Sequence, residues 1–235
     1  MTLKLQNIVC GYKEGLHKPF DGHFEAPQLI ALTGRNGSGK STFLKTVSGW
    51  IRPKQGQVYW KETNIHDMPP KDRSHLINFI SAREHLFFPM KVMEYLSLGR
   101  LPYLNMLGLL TKKDQLIIEH YIKQLQLTDL TNKYMFELSD GQYQKVKIAR
   151  AMIQEVKLLL LDEPTNFLDP PAKKDLFEVL CHNVKQNNCL IFISTHEIHF
   201  MLRYCDKILF FNEGEIIPHT PVSIQQDKRF VEDFL

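Results

Sequence analysis

A chain of 235 residues, 43% hydrophobic and 23% charged, is long enough to bury a full core and reads as globular, not disordered. Its 29 basic and 26 acidic side chains leave a formal charge of +3, with no Lys/Arg block of the kind that tracks a nucleic-acid backbone, so composition supports no nucleic-acid partner. The four cysteines, Cys10, Cys181, Cys189 and Cys205, are scattered and form no C-x-x-C pair, which argues against a disulfide framework and for reduced, mostly buried thiols.

In chain order, Met1 to Leu5 lacks the apolar region of a signal peptide, and no later apolar run is long enough to cross a bilayer. A cytoplasmic protein is expected, with any membrane role exerted through another subunit. Leu3 to Val9 alternates apolar and polar residues and predicts a half-buried strand, and Phe20 to Phe24 predicts a second. The apolar run Leu29 to Leu32 predicts a buried strand that enters Gly34-Arg35-Asn36-Gly37-Ser38-Gly39-Lys40-Ser41-Thr42, with a helix over Ser41 to Trp50 leaving it. This G-x-x-x-x-G-K-[ST] pattern suits a loop whose backbone N–H groups wrap a phosphate chain, because glycines allow positive φ and close approach. Lys40 would reach the β- and γ-phosphates, and the Ser41 hydroxyl would sit on Mg²⁺.

Beyond the loop, Gln57 to Trp60 and Leu76 to Ile80 predict strands. From Val92 to about Ala151 the pattern is helical, with Leu-rich pieces at Val92 to Leu98 and Gln115 to Leu125, the latter read as an amphipathic surface helix. Within Leu138-Ser139-Asp140-Gly141-Gln142, Ser139 is an N-cap candidate for a helix running through Lys145 to Ala151, and a capped helix start of this kind binds anions. Strands return at Lys157 to Leu161, Leu190 to Ser194 and Lys207 to Phe211, with amphipathic helices between them. This alternation implies a parallel sheet covered by helices on both faces. The strand before Asp162-Glu163-Pro164 delivers two adjacent carboxylates to the carboxyl end of that sheet, where ligands sit in open α/β folds. Asp162 would orient Mg²⁺ through water, and Glu163 would polarise the water attacking a γ-phosphate. In Ser194-Thr195-His196-Glu197 and on to His199, the histidines stand three apart, which is not the H-E-x-x-H of a zinc protease.

The phosphate loop, the LSDGQ stretch, LLLLDEPTNFLD and Ser194 to Glu197 occur in an order that resembles the ABC ATPases over essentially the whole chain. That resemblance implies an α/β P-loop NTPase with a RecA-like parallel sheet core, an N-terminal antiparallel β subdomain and an inserted α-helical lobe. One domain, 1–235, would divide into a core at about 1–83 and 152–235 and a lobe at about 84–151. By similarity, Tyr12 stacks on adenine, and Gly34 to Thr42 is the Walker A loop. Ser139, Gly141 and Gln142 form the signature supplied in trans, Asp162 and Glu163 are Walker B and the base, Asp169 belongs to the D-loop, and His196 is the switch histidine.

ATP and Mg²⁺ are the implied cofactors. The implied partners are a second copy in a head-to-tail ATP sandwich, transmembrane permease subunits and, indirectly, a substrate-binding protein. The chain would then be peripheral on the cytoplasmic face of the inner or plasma membrane. Two positions depart from the family pattern: Asp140 replaces a glycine of LSGGQ, and no glutamine follows the strand Leu76 to Ile80. At a helix N-terminus turned to solvent, Asp140 is mildly favourable. His85 to Pro89 is read either as a docking patch or as packing beneath the lobe.

Val92 to Tyr103 followed by Gly108 is similar to the segment after the Q-loop in ATPases of iron-chelate and cobalamin importers, which points to import of an iron-siderophore, haem or cobalamin-type chelate. Two alternatives stay open: a soluble ABC ATPase acting in macromolecular assembly or repair, and an ATP-binding regulator with weak hydrolysis.

Overall fold

A computed structural model describes residues 1–81, 89–105 and 107–234. Two sheets face each other. The smaller is antiparallel, in the order β2-β1-β4-β5, formed by β1 (Thr2–Val9), β2 (Phe20–Glu25), β4 (Gln55–Trp60) and β5 (Thr63–Asn64). The larger has the order β10-β9-β3-β8-β7-β6. Its members are β3 (Gln28–Gly34), β6 (Ile77–Ile80), β7 (Leu158–Leu161), β8 (Leu190–Ser194), β9 (Lys207–Asn212) and β10 (Glu215–His219), parallel except for β10 on β9.

The continuous apolar strands are buried on both faces, and their period of two splits them between two cores. Leu29, Ala31, Leu159, Leu161, Ile191 and Ile193 face a core shared with helices α5 (Asp140–Ile153) and α6 (Pro170–Asn187). Ile30, Leu32, Leu158, Leu160, Leu190 and Phe192 face a second core, closed by α1 (Lys40–Val47) and the antiparallel sheet. So one face of the parallel sheet is covered by helices, whereas the other is covered largely by a second sheet. This corrects the expectation of helices on both faces.

Other boundaries also differ from the sequence expectation. The loop helix stops at Val47, not Trp50, because Gly49 follows with φ of 80°, the left-handed stop common after a helix end. Helix α2 (Pro70–Leu76) starts at a proline and takes in Leu76, the first residue of the expected strand, since a proline at the first helical position costs no hydrogen bond. The edge strand β10 and the short helices α8 (Pro221–Ile224) and α9 (Lys228–Phe234) were not anticipated. All four cysteines are free, and burial pushes the Cys10 and Cys189 thiols up to about 11.

Helices α3 (Val92–Ser97) and α4 (Lys112–Gln124) pack on α5, and α7 (Ile198–Tyr204) packs on α6. Helix α4 buries Ile118, Tyr121 and Ile122, and the Tyr121 hydroxyl accepts from Asn183 on α6 at 2.8 Å. Arg100 is the polar anchor of this region. Its Nε donates to Asp114 at 2.8 Å, and its Nη1 donates to the Ile153 carbonyl at 2.9 Å and to Glu155 at 3.0 Å. The Arg100 and Asp114 side chains are only 5% and 4% exposed. Asp114 also accepts from the Thr111 backbone and hydroxyl, so the start of α4 is bolted to the end of α5. Removing one member of a satisfied buried pair strands the other charge, so Arg100→Ala is expected to cost about 3–5 kcal/mol, read as a fall in denaturant midpoint.

Candidate functional site

The carboxyl ends of β3, β8 and β7 lie side by side, with Leu32 opposite Ser194 and Leu161 opposite Ile193. Three functional stretches therefore leave the sheet at one edge. From β3 the chain enters the Gly34 to Thr42 loop. Gly34 has φ of 141°, and a Cβ there would come within 2.3 Å of the Phe211 carbonyl, so both conformation and space require glycine. Gly39, with φ of 102°, is the residue before α1, so the loop runs directly into a helix N-terminus whose first N–H groups have no partner within the helix. Asn36 to Thr42, Leu16 and Glu163 line a cavity of about 160 Å³.

Lys40 lies at this helix start, 5% exposed, its Nζ donating to the Gly34 and Arg35 carbonyls at 2.7 and 3.1 Å. Burial lowers its pKa, against the pull of the Glu163 and Asp162 carboxylates. The Ser41 hydroxyl donates to Asp162 Oδ1 at 2.9 Å, and the Ser194 hydroxyl donates to the same oxygen at 2.8 Å. Ser194 also accepts the Glu163 backbone N–H at 2.7 Å. Glu163 is held at φ of 48°, a left-handed conformation that costs a non-glycine residue roughly 1–3 kcal/mol, and the Ser194 bond sits at that strained peptide.

The Glu163 side chain is oriented from two sides. Asn166 Nδ2 donates to Oε2 at 2.8 Å, and His196 Nε2 lies 3.5 Å from Oε1. Ser194, Asn166 and Leu16 were not singled out from the sequence. The first two lie inside recognised stretches with no role read for their side chains, and Leu16 approaches Gly39 only through the turn that follows Tyr12. That turn is fixed by His17, whose Nε2 accepts from the Cys10 backbone N–H at 3.1 Å while Nδ1 bonds the Lys18 carbonyl at 2.7 Å. Burial lowers the His17 pKa, the Lys18 carbonyl opposing it, in keeping with a neutral ring. Tyr12 itself is 60% exposed, with its hydroxyl accepting from Lys45 of α1 at 3.3 Å.

Ser139, Gly141 and Gln142 lie elsewhere and do not line the phosphate-loop cavity. Ser139 caps α5: its Oγ accepts from the Gln142 N–H at 3.3 Å while Gln142 Oε1 accepts from the Ser139 N–H at 3.2 Å, a reciprocal capping box. Asp140 stands exposed in the first turn, where a carboxylate favours the positive helix end. Gly141 packs on the turn before α6, where a Cβ would lie 3.0 Å from the Phe167 carbonyl. Asp169 caps α6 by accepting the Ala172 N–H at 2.9 Å, so it has a local structural task as well. The structure thus gathers the loop, Asp162, Glu163 and His196 at one place and the start of α5 with Asp169 at another. The expectations placed on Ala82 to Glu84, where a glutamine is missing, and on His85 to Phe88 of the apolar patch lie outside the described residues.

Residues 17–166 match the family described as ABC transporter. The chain is 31% identical to the petrobactin import ATP-binding protein FatE of Bacillus anthracis over 98% of its length and 92% of that protein's. It is 30% identical to the high-affinity zinc uptake system ATP-binding protein ZnuC of Bacillus subtilis over 91% of its length and 92% of that protein's. The structure of cbiO1 from Clostridium perfringens, part of the ABC transporter complex cbiONQ, superposes with a TM-score of 0.81 at 26% identity, covering 98% of this chain and 93% of that one.

Proposed function

The chain belongs to the ABC transporter ATPases, and on that premise we propose that it is the ATP-hydrolysing subunit energising an importer of a metal chelate of the iron-siderophore, haem or cobalamin type. ATP binding and hydrolysis come with the family. The observation that carries the proposed chemistry is the Glu163 carboxylate, which lines the same cavity as Asn36 to Thr42 and is held there by Asn166 and His196.

In this reading the N–H groups of Gly34, Arg35, Asn36, Gly37, Ser38 and Gly39 wrap the β- and γ-phosphates, and Lys40 and Thr42 complete the wrap. Tyr12 offers its exposed ring to adenine. Glu163 takes the proton from the attacking water, and His196 contacts the γ-phosphate. Ser41 and Asp162 bring two hard oxygens to within 2.9 Å of each other, which suits Mg²⁺ held by the Ser41 hydroxyl, by substrate phosphates and, through water, by Asp162. When bound, the ion neutralises charge on the phosphates. The exposed, capped start of α5 presents Ser139, Gly141 and Gln142 to the nucleotide of a second copy, with Asp169 beside them, in a head-to-tail dimer.

The same reading takes the chain as one ATPase domain with a core at about 1–83 and 152–235 and a helical lobe at about 84–151. Among the described residues, no helix is long and apolar enough to cross a membrane. We accordingly place the chain on the cytoplasmic face through permease subunits, with a substrate-binding protein engaged indirectly and no nucleic acid involved. The cargo rests on the segment Val92 to Tyr103 with Gly108 and on the likeness to FatE, while ZnuC is nearly as similar.

The test is capture of the tagged chain from solubilised membranes, followed by reconstitution with the polytopic protein recovered. ATP-dependent uptake of a labelled ferric siderophore, haem or cobalamin is expected. Uptake of free zinc in place of a chelate, or recovery of a soluble complex alone, overturns the assignment.

A further inference from the structure

Helix α5 does more than display its N-terminus, because two buried polar side chains on one of its faces reach the backbone on either side of Asp162 and Glu163. Gln144, 4% exposed, donates from Nε2 to the Pro164 carbonyl at 3.1 Å. Lys147, one turn further on and 1% exposed, donates from Nζ to the Ser81 carbonyl at 2.8 Å. Ser81 directly follows β6, whose last residue, Ile80, accepts the Asp162 N–H at 2.9 Å. One grip therefore holds the carbonyl of Pro164, the residue just after Glu163. The other holds the strand end onto which Asp162 is hydrogen-bonded. Residues three apart on a helix share a face, so both grips act on one side of α5, within two turns of Ser139 to Gln142.

Burying an ammonium is expensive, and a thioether or alkyl chain of similar length would fill the same space without desolvating a charge. Packing alone therefore gives no reason for a lysine at this position. A charged donor on a backbone carbonyl gives direction, which an apolar contact does not.

We infer that Gln144 and Lys147 are positioning residues that transmit the placement of the Asp162–Glu163 turn to the exposed start of α5. They touch neither nucleotide nor metal and act through the turn and the helix. The inference rests on the reading of Asp162 and Glu163 as the metal and base positions. It adds the route by which occupancy of the phosphate loop is conveyed to the surface offered to a second copy.

The experiment uses the full chain and the variants Lys147→Met, Gln144→Leu and Lys147→Arg. Hydrogen–deuterium exchange over 139–147 is followed with and without ATP and Mg²⁺, alongside melting temperature and steady-state hydrolysis. Wild type is expected to change its exchange at the start of α5 when ATP is added. Lys147→Met and Gln144→Leu are expected to lose that change, and Lys147→Arg to restore it. For Lys147→Met, kcat is expected to fall about tenfold with KM for ATP held within about twofold, the scale of a disrupted coupling between sites. Its melting temperature is expected to fall slightly, because the Ser81 carbonyl loses its donor.

Three results overturn the inference: a wild type with no ATP-dependent change at 139–147, variants that keep the wild-type change, or a lowered melting temperature with unaltered kcat. A wild type that shows the exchange change but releases no phosphate overturns the hydrolytic reading and leaves the positioning role intact.

Discussion

Glu163→Gln is expected to slow phosphate release by at least about a hundredfold while leaving ATP bound, because general-base catalysis by a positioned carboxylate contributes roughly 10² to 10⁴ in rate. The amide is nearly isosteric with the carboxylate, and its oxygen can still accept from Asn166, which donates to Glu163 at 2.8 Å. The left-handed backbone at 163 and the bond its N–H donates to Ser194 are untouched by the change. Only the ability to take a proton goes. If two nucleotides are clamped between two copies, blocking hydrolysis holds the clamp shut, and the variant should elute as a dimer in ATP and as a monomer in ADP. Phosphate release and size-exclusion chromatography at saturating ATP measure the two effects separately. Hydrolysis equal to wild type removes Glu163 from the role of base, and a monomer in ATP removes the sandwich.

Lys40→Ala is expected to act one step earlier, at binding. Lys40 is 5% exposed in a loop that lines the phosphate cavity largely with backbone N–H groups and hydroxyls. Losing a buried charged partner of a phosphate costs about 2–5 kcal/mol, an increase in Kd of roughly thirtyfold to a few thousandfold. Lys40 also bonds the Gly34 and Arg35 carbonyls, so the truncation loosens the loop as well as removing the charge. Lys40→Met keeps the apolar stem while losing the charge and both carbonyl bonds, so it separates loss of the ammonium from loss of the stem's packing. Binding of a fluorescent ATP analogue should be weakened in both variants. An affinity within threefold of wild type in Lys40→Met would exclude a direct phosphate contact. The two substitutions are thus expected to be opposites, Glu163→Gln retaining nucleotide without turnover and Lys40→Ala failing to retain it.

The motifs were legible because each is a local demand. Gly34 and Gly39 must adopt positive φ, Lys40 must follow them, and an apolar strand must end in two carboxylates; each condition is written in a few consecutive residues. The strand positions were legible for the same reason: a run such as Leu158 to Leu161, buried on both faces, has no polar residue to place on a solvated side. Capping at Ser139 was legible because the partner, Gln142, is three residues away. The antiparallel edge β10 and the helix starting at Pro70 were not read, because a proline breaks or starts an element depending on what surrounds it.

The assembly of the site belongs to another scale. Ser41 and Asp162 are 121 residues apart and Asp162 and Ser194 are 32 apart, yet both serines meet one carboxylate oxygen because β8 is inserted between β3 and β7. Strand order is set by how whole strands bury their two faces, and no short stretch encodes it. The roles of Ser194 and Asn166, and the grips of Gln144 and Lys147 on distant carbonyls, emerge only with that order. Sequence by itself singled out the residues proposed to carry the chemistry, since backbone conformation and side-chain type are local properties. Tertiary structure decided how those residues are aimed, since aim comes from hydrogen bonds and packing between segments that burial alone brings together.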